Sequence, residues 1–137
     1  MRRAVSKNIL IIDDDDDLRD IIHFTLADRG HSVRSFANPE KALTFLNMSE
    51  FIPDLIIVDQ FMKDMTGGEF LEIKGKHRNP SIRNCPSIII SGSPQDVERS
   101  VERKLYSEIV PKPLNMDEIS LQVEELLSDS SERSLRV

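Results

Sequence analysis

Four short apolar runs, each delivering a chemically capable residue at its end, constrain this chain more than any other feature. Ile9-Leu10-Ile11-Ile12 leads into Asp13-Asp14, Leu55-Ile56-Ile57-Val58 into Asp59, Ile88-Ile89-Ile90 into Ser91, and Ile109-Val110, one proline later, into Lys112. Short β-branched runs without polar alternation read as strands buried on both faces, as in a parallel sheet covered by helices. Ligands of such sheets bind outside the carboxyl ends of the strands, where the chain order reverses. Three carboxylates, one hydroxyl and one ammonium are therefore expected to converge on one sheet edge.

The intervening stretches carry the apolar spacing of amphipathic helices. Asp15 to Asp17 precede Leu18, Ile21, Ile22 and Leu26, and Gly30 is placed to end that first helix. Residues 31–36 make a weak second strand. Asn38-Pro39 supplies an N-cap and an N1 proline for a second helix ending near Met48. After Asp59, a loop with Gly67-Gly68 leads into a third helix carrying Phe70, Leu71 and Ile73, short or irregular over the polar stretch from Gly75 to Cys85. Ser93-Pro94-Gln95-Asp96 has the form of a capping box before Val97, Val101 and Leu105. Asn115 and Glu118 repeat the pattern before Ile119, Val123, Leu126 and Leu127. Five strands then alternate with five helices, and right-handed crossovers give a doubly wound, three-layer α/β sandwich. The expected organisation is an N-terminal extension over 1–6, one domain over 7–127, and a solvated tail over 128–137, rich in Ser and charge and without periodicity.

A chain of 137 residues suits a single domain that needs no staple. Cys85, the one cysteine, excludes an internal disulfide and reads as a small packing residue before a buried strand. No apolar run approaches the roughly 18 residues of a membrane span, and no signal segment opens the chain, so a soluble, cytoplasmic protein is expected. A net charge of -6 works against affinity for a phosphate backbone, which disfavours nucleic acid as a partner. His23, His31 and His77 are scattered and read as surface or helix-face positions.

Adjacent carboxylates at one strand end and a third at another make an all-oxygen site suited to a hard divalent cation. Mg²⁺ keeps several waters and is held by one or two carboxylates plus a phosphate. Asp13, Asp14 and Asp59 match that better than a zinc site, with no His or Cys near them in sequence. Asp15 to Asp17 read as N-cap and macrodipole compensation instead. Lys112 stands between Pro111 and Pro113, which fix its backbone, and the Lys112-Pro113 bond is a candidate for the cis form.

Together these residues resemble the receiver domain of two-component response regulators, in a stand-alone form. The resemblance rests on IIDD at Asp13-Asp14, DLIIVD at Asp59, MKDMTGGEF after it, IIISGS at Ser91 and PKPLN at Lys112, and runs from about Lys7 to Leu127. It implies a flavodoxin-like strand order of 2-1-3-4-5, an order for which the chemotaxis receiver is a standing example. It further implies that Asp59 accepts a phosphoryl group from a histidine kinase or histidine phosphotransfer protein. Asp14, Asp59 and the Phe61 carbonyl would hold Mg²⁺, with Asp13 assisting, Lys112 would pair with phosphoryl oxygens and Ser91 would hydrogen-bond one. Phe61 and Ser93, each two beyond a key residue, would neighbour the phosphoryl group and govern its lifetime. The face of the fourth helix, fifth strand and fifth helix would meet a downstream protein.

The chain departs from the family pattern at several places. Lys63 stands where the loop after the acceptor usually has proline, and Thr66 where an acidic residue precedes the glycine. Ile109 replaces the usual switch aromatic, with Tyr106 three residues upstream, and the Gly-Ala step before the fifth strand is missing. Two other readings follow. One is a pseudo-receiver that binds partners without phosphorylation. The other is a small phosphatase of the haloacid-dehalogenase type, for which Asp15 two residues beyond Asp13 is a superficial match without the cap that chemistry needs.

Overall fold

The computed structural model describes the backbone of residues 6–135 and the side chains of residues 6–128. Most of the 1–6 extension lies outside the described residues. The chain runs β1 (Asn8–Ile12), α1 (Asp16–Asp28), β2 (Ser32–Phe36), α2 (Pro39–Met48), β3 (Leu55–Asp59), α3 (Gly67–Lys74), α4 (Pro80–Arg83), β4 (Ser87–Ser91), α5 (Pro94–Ser100), a 3₁₀ turn (Arg103–Leu105), β5 (Glu108–Pro111) and α6 (Met116–Leu135). The five strands form one parallel sheet in the order β2-β1-β3-β4-β5. This is the doubly wound sandwich the apolar runs require.

Alternate side chains of each strand point to opposite faces, so every run feeds two cores. Ile9, Ile11, Leu55, Ile57, Ile88 and Ile90 pack with Ile22 and Leu26 of α1 and Ile119 and Val123 of α6. Leu10, Ile12, Ile56, Val58 and Ile89 pack with α2, α3 and α5 through Ala42, Leu46, Phe70, Leu71 and Val97. A fully buried Ile or Leu contributes about 1.5–3 kcal/mol, so the continuous apolar runs are what hold the sheet edges in place.

Helix starts follow the sequence closely. Asp15 Oδ1 accepts the Leu18 N–H, Asn38 caps Lys41, and Asn115 Oδ1 accepts the Glu118 N–H. Gly30 after α1 has φ 95°, a conformation side chains rarely adopt. Helix ends and one helix start differ. Gly67 and Gly68 open α3 instead of lying in a loop, because Thr66 and Glu69 form a capping box that brackets them. The Gly75–Cys85 stretch holds an extra helix, α4, so six α-helices rather than five occur among the described residues. Lys74 closes that connection: its buried ammonium donates to the carbonyls of Arg83 at 3.0 Å and Cys85 at 2.6 Å. Cys85 is itself buried, and burial pushes its thiol up to about 12, as suits a packing residue.

The expected fourth helix stops at Ser100, and Val101 is already extended with φ −114° and ψ 129°. Ser100 Oγ turns back to the Asp96 carbonyl at 2.6 Å, a local bond that competes with helix continuation. Ser93 does not complete a capping box; its hydroxyl meets Asp96 Oδ2 at 2.8 Å instead of a backbone N–H. The last helix continues past Leu127 to Leu135, where a non-periodic tail was expected. Residues 116–137 contain neither Gly nor Pro, so nothing in the sequence stops propagation. His31 also corrects the surface reading: it is buried, accepts the Lys7 N–H at Nδ1 and meets Glu124 Oε1 through Nε2 at 2.8 Å.

Gly67 gives the fold a direct test. A Cβ there would lie 2.7 Å from the Asp59 carbonyl oxygen, a backbone atom that cannot rotate away. Gly67→Ala gains about 0.4–1 kcal/mol from the unfolded chain but loses about 1–3 kcal/mol to overpacking. The expected net result is a lower urea midpoint, read by circular dichroism.

Candidate functional site

Strand register brings the polar residues together. Ile12 pairs with Val58, so Asp13 emerges opposite Asp59 at the crevice between β1 and β3. This crevice is where the chain order reverses. On the other side Asp59 pairs with Ile90, and Ser91 with Pro111, which puts Ser91 and Lys112 at the neighbouring ends. The Lys112 N–H donates to the Ser91 carbonyl at 2.9 Å, and the Lys112-Pro113 bond is cis. Lys112 Nζ reaches Asp59 Oδ1 at 2.7 Å, an ion pair between a partly exposed ammonium and a buried carboxylate.

Asp13, Asp14 and Asp59 each place a carboxylate oxygen within 4.8 Å of the others. Opposite ligands of a hard divalent cation, at about 2.0–2.6 Å from the metal, stand roughly 4–5 Å apart, so the spread suits one coordination sphere. Asp13 is 1% exposed and its Oδ1 accepts the Asp15 N–H at 2.9 Å, but its Oδ2 is buried without a partner. An orphaned anionic oxygen costs free energy unless a cation meets it. Asp14 is exposed, and its Oδ2 accepts the Lys63 N–H at 3.1 Å, which ties the β3–α3 loop to the site. Three carboxylates against one ammonium leave an excess of negative charge that one divalent cation would balance.

The titration shifts share that origin. Burial first, then the charge of Asp59, raises the Asp13 carboxyl to about 6, against the Asp15 N–H and Lys112. Burial also raises Asp59, while the Lys112 ammonium and the Phe61 N–H hold it down. Burial works against the Lys112 charge, but Asp59, Asp13 and Asp15 outweigh it and raise its pKa.

The remaining expected residues lie nearby in the chain with different contacts. Ser91 is buried and its hydroxyl accepts the Ser93 N–H at 2.9 Å, a bond within its own loop. Ser93 is half-buried on Asp96. The Phe61 side chain is 58% exposed. Ile109 is half-buried against the α2–α3–α5 core, while Tyr106 is buried with the Arg103 guanidinium 4.8 Å from its ring centroid.

Two contributors were not apparent from sequence. Arg19 donates to the Asp13 carbonyl at 2.7 Å and pairs with Asp16 at 2.6 Å, bracing the β1–α1 loop. Its signal was the spacing of three from Asp16. Gln60 is buried directly after Asp59, and its Oε1 accepts the Gly68 N–H at 3.0 Å. Nothing in its neighbours distinguishes it from an ordinary loop residue.

The response regulator receiver domain family matches residues 9–124, and the chain belongs to that family. A 14.6 kDa protein of Leptolyngbya boryana, from the sodA1 3′ region, is 29% identical over 117 residues, spanning 84% of this chain and 86% of that protein. NtrX from Brucella abortus, crystallised with ADP, superposes with a TM-score of 0.80 at 27% identity over 96% of this chain and 30% of that one. TrrA from Thermotoga maritima, crystallised with Mg²⁺ and beryllofluoride, gives a TM-score of 0.74 at 24% identity over 88% of this chain and 98% of that one. The fold is thus that of response regulator receivers of two-component systems, and such domains signal.

Asp13 supplies a stability test. Burial raises its carboxyl to about 6 in the folded chain, above the ordinary value of 3.8, so its contribution is complete below pH 4 and is lost as pH rises through 6. About 2 pKa units at 1.36 kcal/mol each make ionised Asp13 cost up to about 3 kcal/mol without a cation. Asp13→Asn is therefore expected to raise the thermal midpoint at pH 7 in chelator, with little change at pH 4, and to lose most of the stabilisation by added Mg²⁺. Calorimetry at both pH values, with and without Mg²⁺, reads both effects.

Proposed function

We propose that the protein is a phosphoacceptor in a two-component relay, with Asp59 as the acceptor. The carrying observation is a buried carboxylate held at 2.7 Å by Lys112 beside the Asp13 and Asp14 oxygens. The donor is the phosphohistidine of a histidine kinase or histidine phosphotransfer protein. An Asp59 carboxylate oxygen attacks phosphorus, the new O–P bond forms as the N–P bond breaks, and the electron pair stays on the imidazole nitrogen. Such a transfer asks the protein mainly for positioning and charge neutralisation.

Asp13, Asp14, Asp59 and the Phe61 carbonyl are the residues that would hold Mg²⁺. When bound, that ion supplies charge neutralisation at the phosphoryl oxygens. Lys112 moves its ammonium from Asp59 to a phosphoryl oxygen. The Ser91 hydroxyl accepts from Ser93 through a lone pair, which leaves its proton free to donate to another. Phe61 and Ser93 flank the acyl phosphate and set its exposure to water. The phosphorylated domain then acts by binding, without turnover, through the face of α5, β5 and α6. The negative charge argues against nucleic acid as that target. No helix among the described residues is long and apolar enough to cross a membrane, which accords with a cytoplasmic setting.

Intact-mass spectrometry after incubation with acetyl phosphate and Mg²⁺ tests this reading. One phosphoryl group on the wild type is expected, none on Asp59→Ala, and labelling of Lys112→Ala slowed by about 100-fold, as for loss of one preorganised charge contact. Sustained hydrolysis of the donor would indicate a phosphatase, and no adduct a pseudo-receiver.

The Phe61 ring adds a kinetic test. A bulky apolar neighbour excludes water from the acyl phosphate. Phe61→Asn is expected to shorten the phosphoryl half-life severalfold, followed by loss of the adduct after donor removal; an unchanged half-life removes Phe61 from this role.

A further inference from the structure

Ile109 cannot exchange hydrogen-bond partners as an aromatic hydroxyl can, so a change at Asp59 needs another way out of the site. The structure offers a packed one. Gln60, next after Asp59, is tied three times: its N–H to the Ile90 carbonyl at 2.9 Å, its carbonyl to the Gly67 N–H at 3.0 Å, and its Oε1 to the Gly68 N–H at 3.0 Å. The first turn of α3 is thereby pressed onto the acceptor strand, so closely that a Cβ on Gly67 would lie 2.7 Å from the Asp59 carbonyl oxygen. The far side of the same turn presses on Val101, where a Cβ on Gly68 would lie 2.7 Å from Val101 Cγ2.

Val101 is the pivot of the α5–β5 connector. It ends α5, turns extended, and leads into the 3₁₀ turn and Tyr106. Val101 and Tyr106 belong to one buried cluster, and Ile109 packs against it. The Arg103 guanidinium covers the Tyr106 ring and donates to the Tyr106 carbonyl. A surface cavity of about 450 Å³ opens at this point, lined by Glu98, Arg103, Tyr106, Ser107, Glu108 and Ile109.

We propose that Gln60, Gly68 and Val101 form a steric relay that carries the state of Asp59 to the α5–β5 connector, reshaping the cavity beside Tyr106. The proposal rests on Asp59 being the phosphoacceptor. Close-packed interiors have low compressibility and pass displacement between discrete arrangements, so backbone contacts with no slack transmit well. Two glycines permit the close approach, and Val101 provides the surface they push. In this relay Gln60 and Val101 are positioning residues that touch no phosphoryl group.

The test uses beryllofluoride with Mg²⁺ as the phosphoryl mimic and amide NMR shifts of Tyr106 and Ser107 as the readout. Both amides are expected to shift in the wild type. Val101→Ala should keep beryllofluoride affinity within about threefold while the connector shifts fall by about half or more. The double variant Gly68→Ala/Val101→Ala puts a methyl back into the space lost from Val101 and should restore the response, which a merely destabilised connector would not do. Ile109→Ala should leave it in place. A full connector response in Val101→Ala, or no recovery in the double variant, overturns the relay alone. Absence of any shift at Asp59 and its neighbours in the wild type overturns the acceptor reading and the relay with it.

Discussion

Two carboxylates held out of water at facing strand ends are the constraint from which the rest of this protein follows. Asp13 and Asp59 are both nearly fully buried, and each raises the energy of the other's charge. Lys112 relieves part of that repulsion through a single 2.7 Å contact. The remainder is left in place, with one Asp13 oxygen buried and unpartnered. A site of this kind stores an appetite for positive charge, which the single ammonium held by Asp59 meets only in part.

The sheet makes that tension affordable. Strand ends are fixed by apolar runs buried on both faces, so the carboxylates cannot separate without disturbing two cores. Around them the contacts are with backbone: Asp13 on the Asp15 N–H, Asp14 on the Lys63 N–H, Ser91 on the Ser93 N–H. Asp13 and Ser91 thus hold their own loops and Asp14 holds the β3–α3 loop, so three loops are tied to the charged centre.

The strands and the strand-end residues were legible because a buried parallel strand writes itself as an uninterrupted apolar run, and the next residue emerges at the sheet edge. Capped helix starts were legible for a similar reason, since Asp15, Asn38 and Asn115 act on residues three positions away. Helix ends were not. Val101 leaves the helix where Ser100 offers a competing bond, and α6 runs on through a polar stretch because no residue stops it. His31 was misread because its partners, Lys7 and Glu124, are distant in sequence. Lys74 carried a signal in hindsight: with Phe70 and Leu71 it falls on the buried stripe of α3, where a charge must find partners. Gln60 carried none, because its value lies in the approach of α3.

Lys74 has a consequence at the other end of the molecule. Its ammonium fastens the end of α3 to the carbonyls just before β4, opposite the edge where the carboxylates gather. Helix α3 is therefore clamped at its tail while its head rests between Asp59 and Val101. A rod anchored at one end and nudged at the other tilts instead of sliding. The lower edge of the sheet then serves as a stator, and whatever work the upper loops perform is done against it.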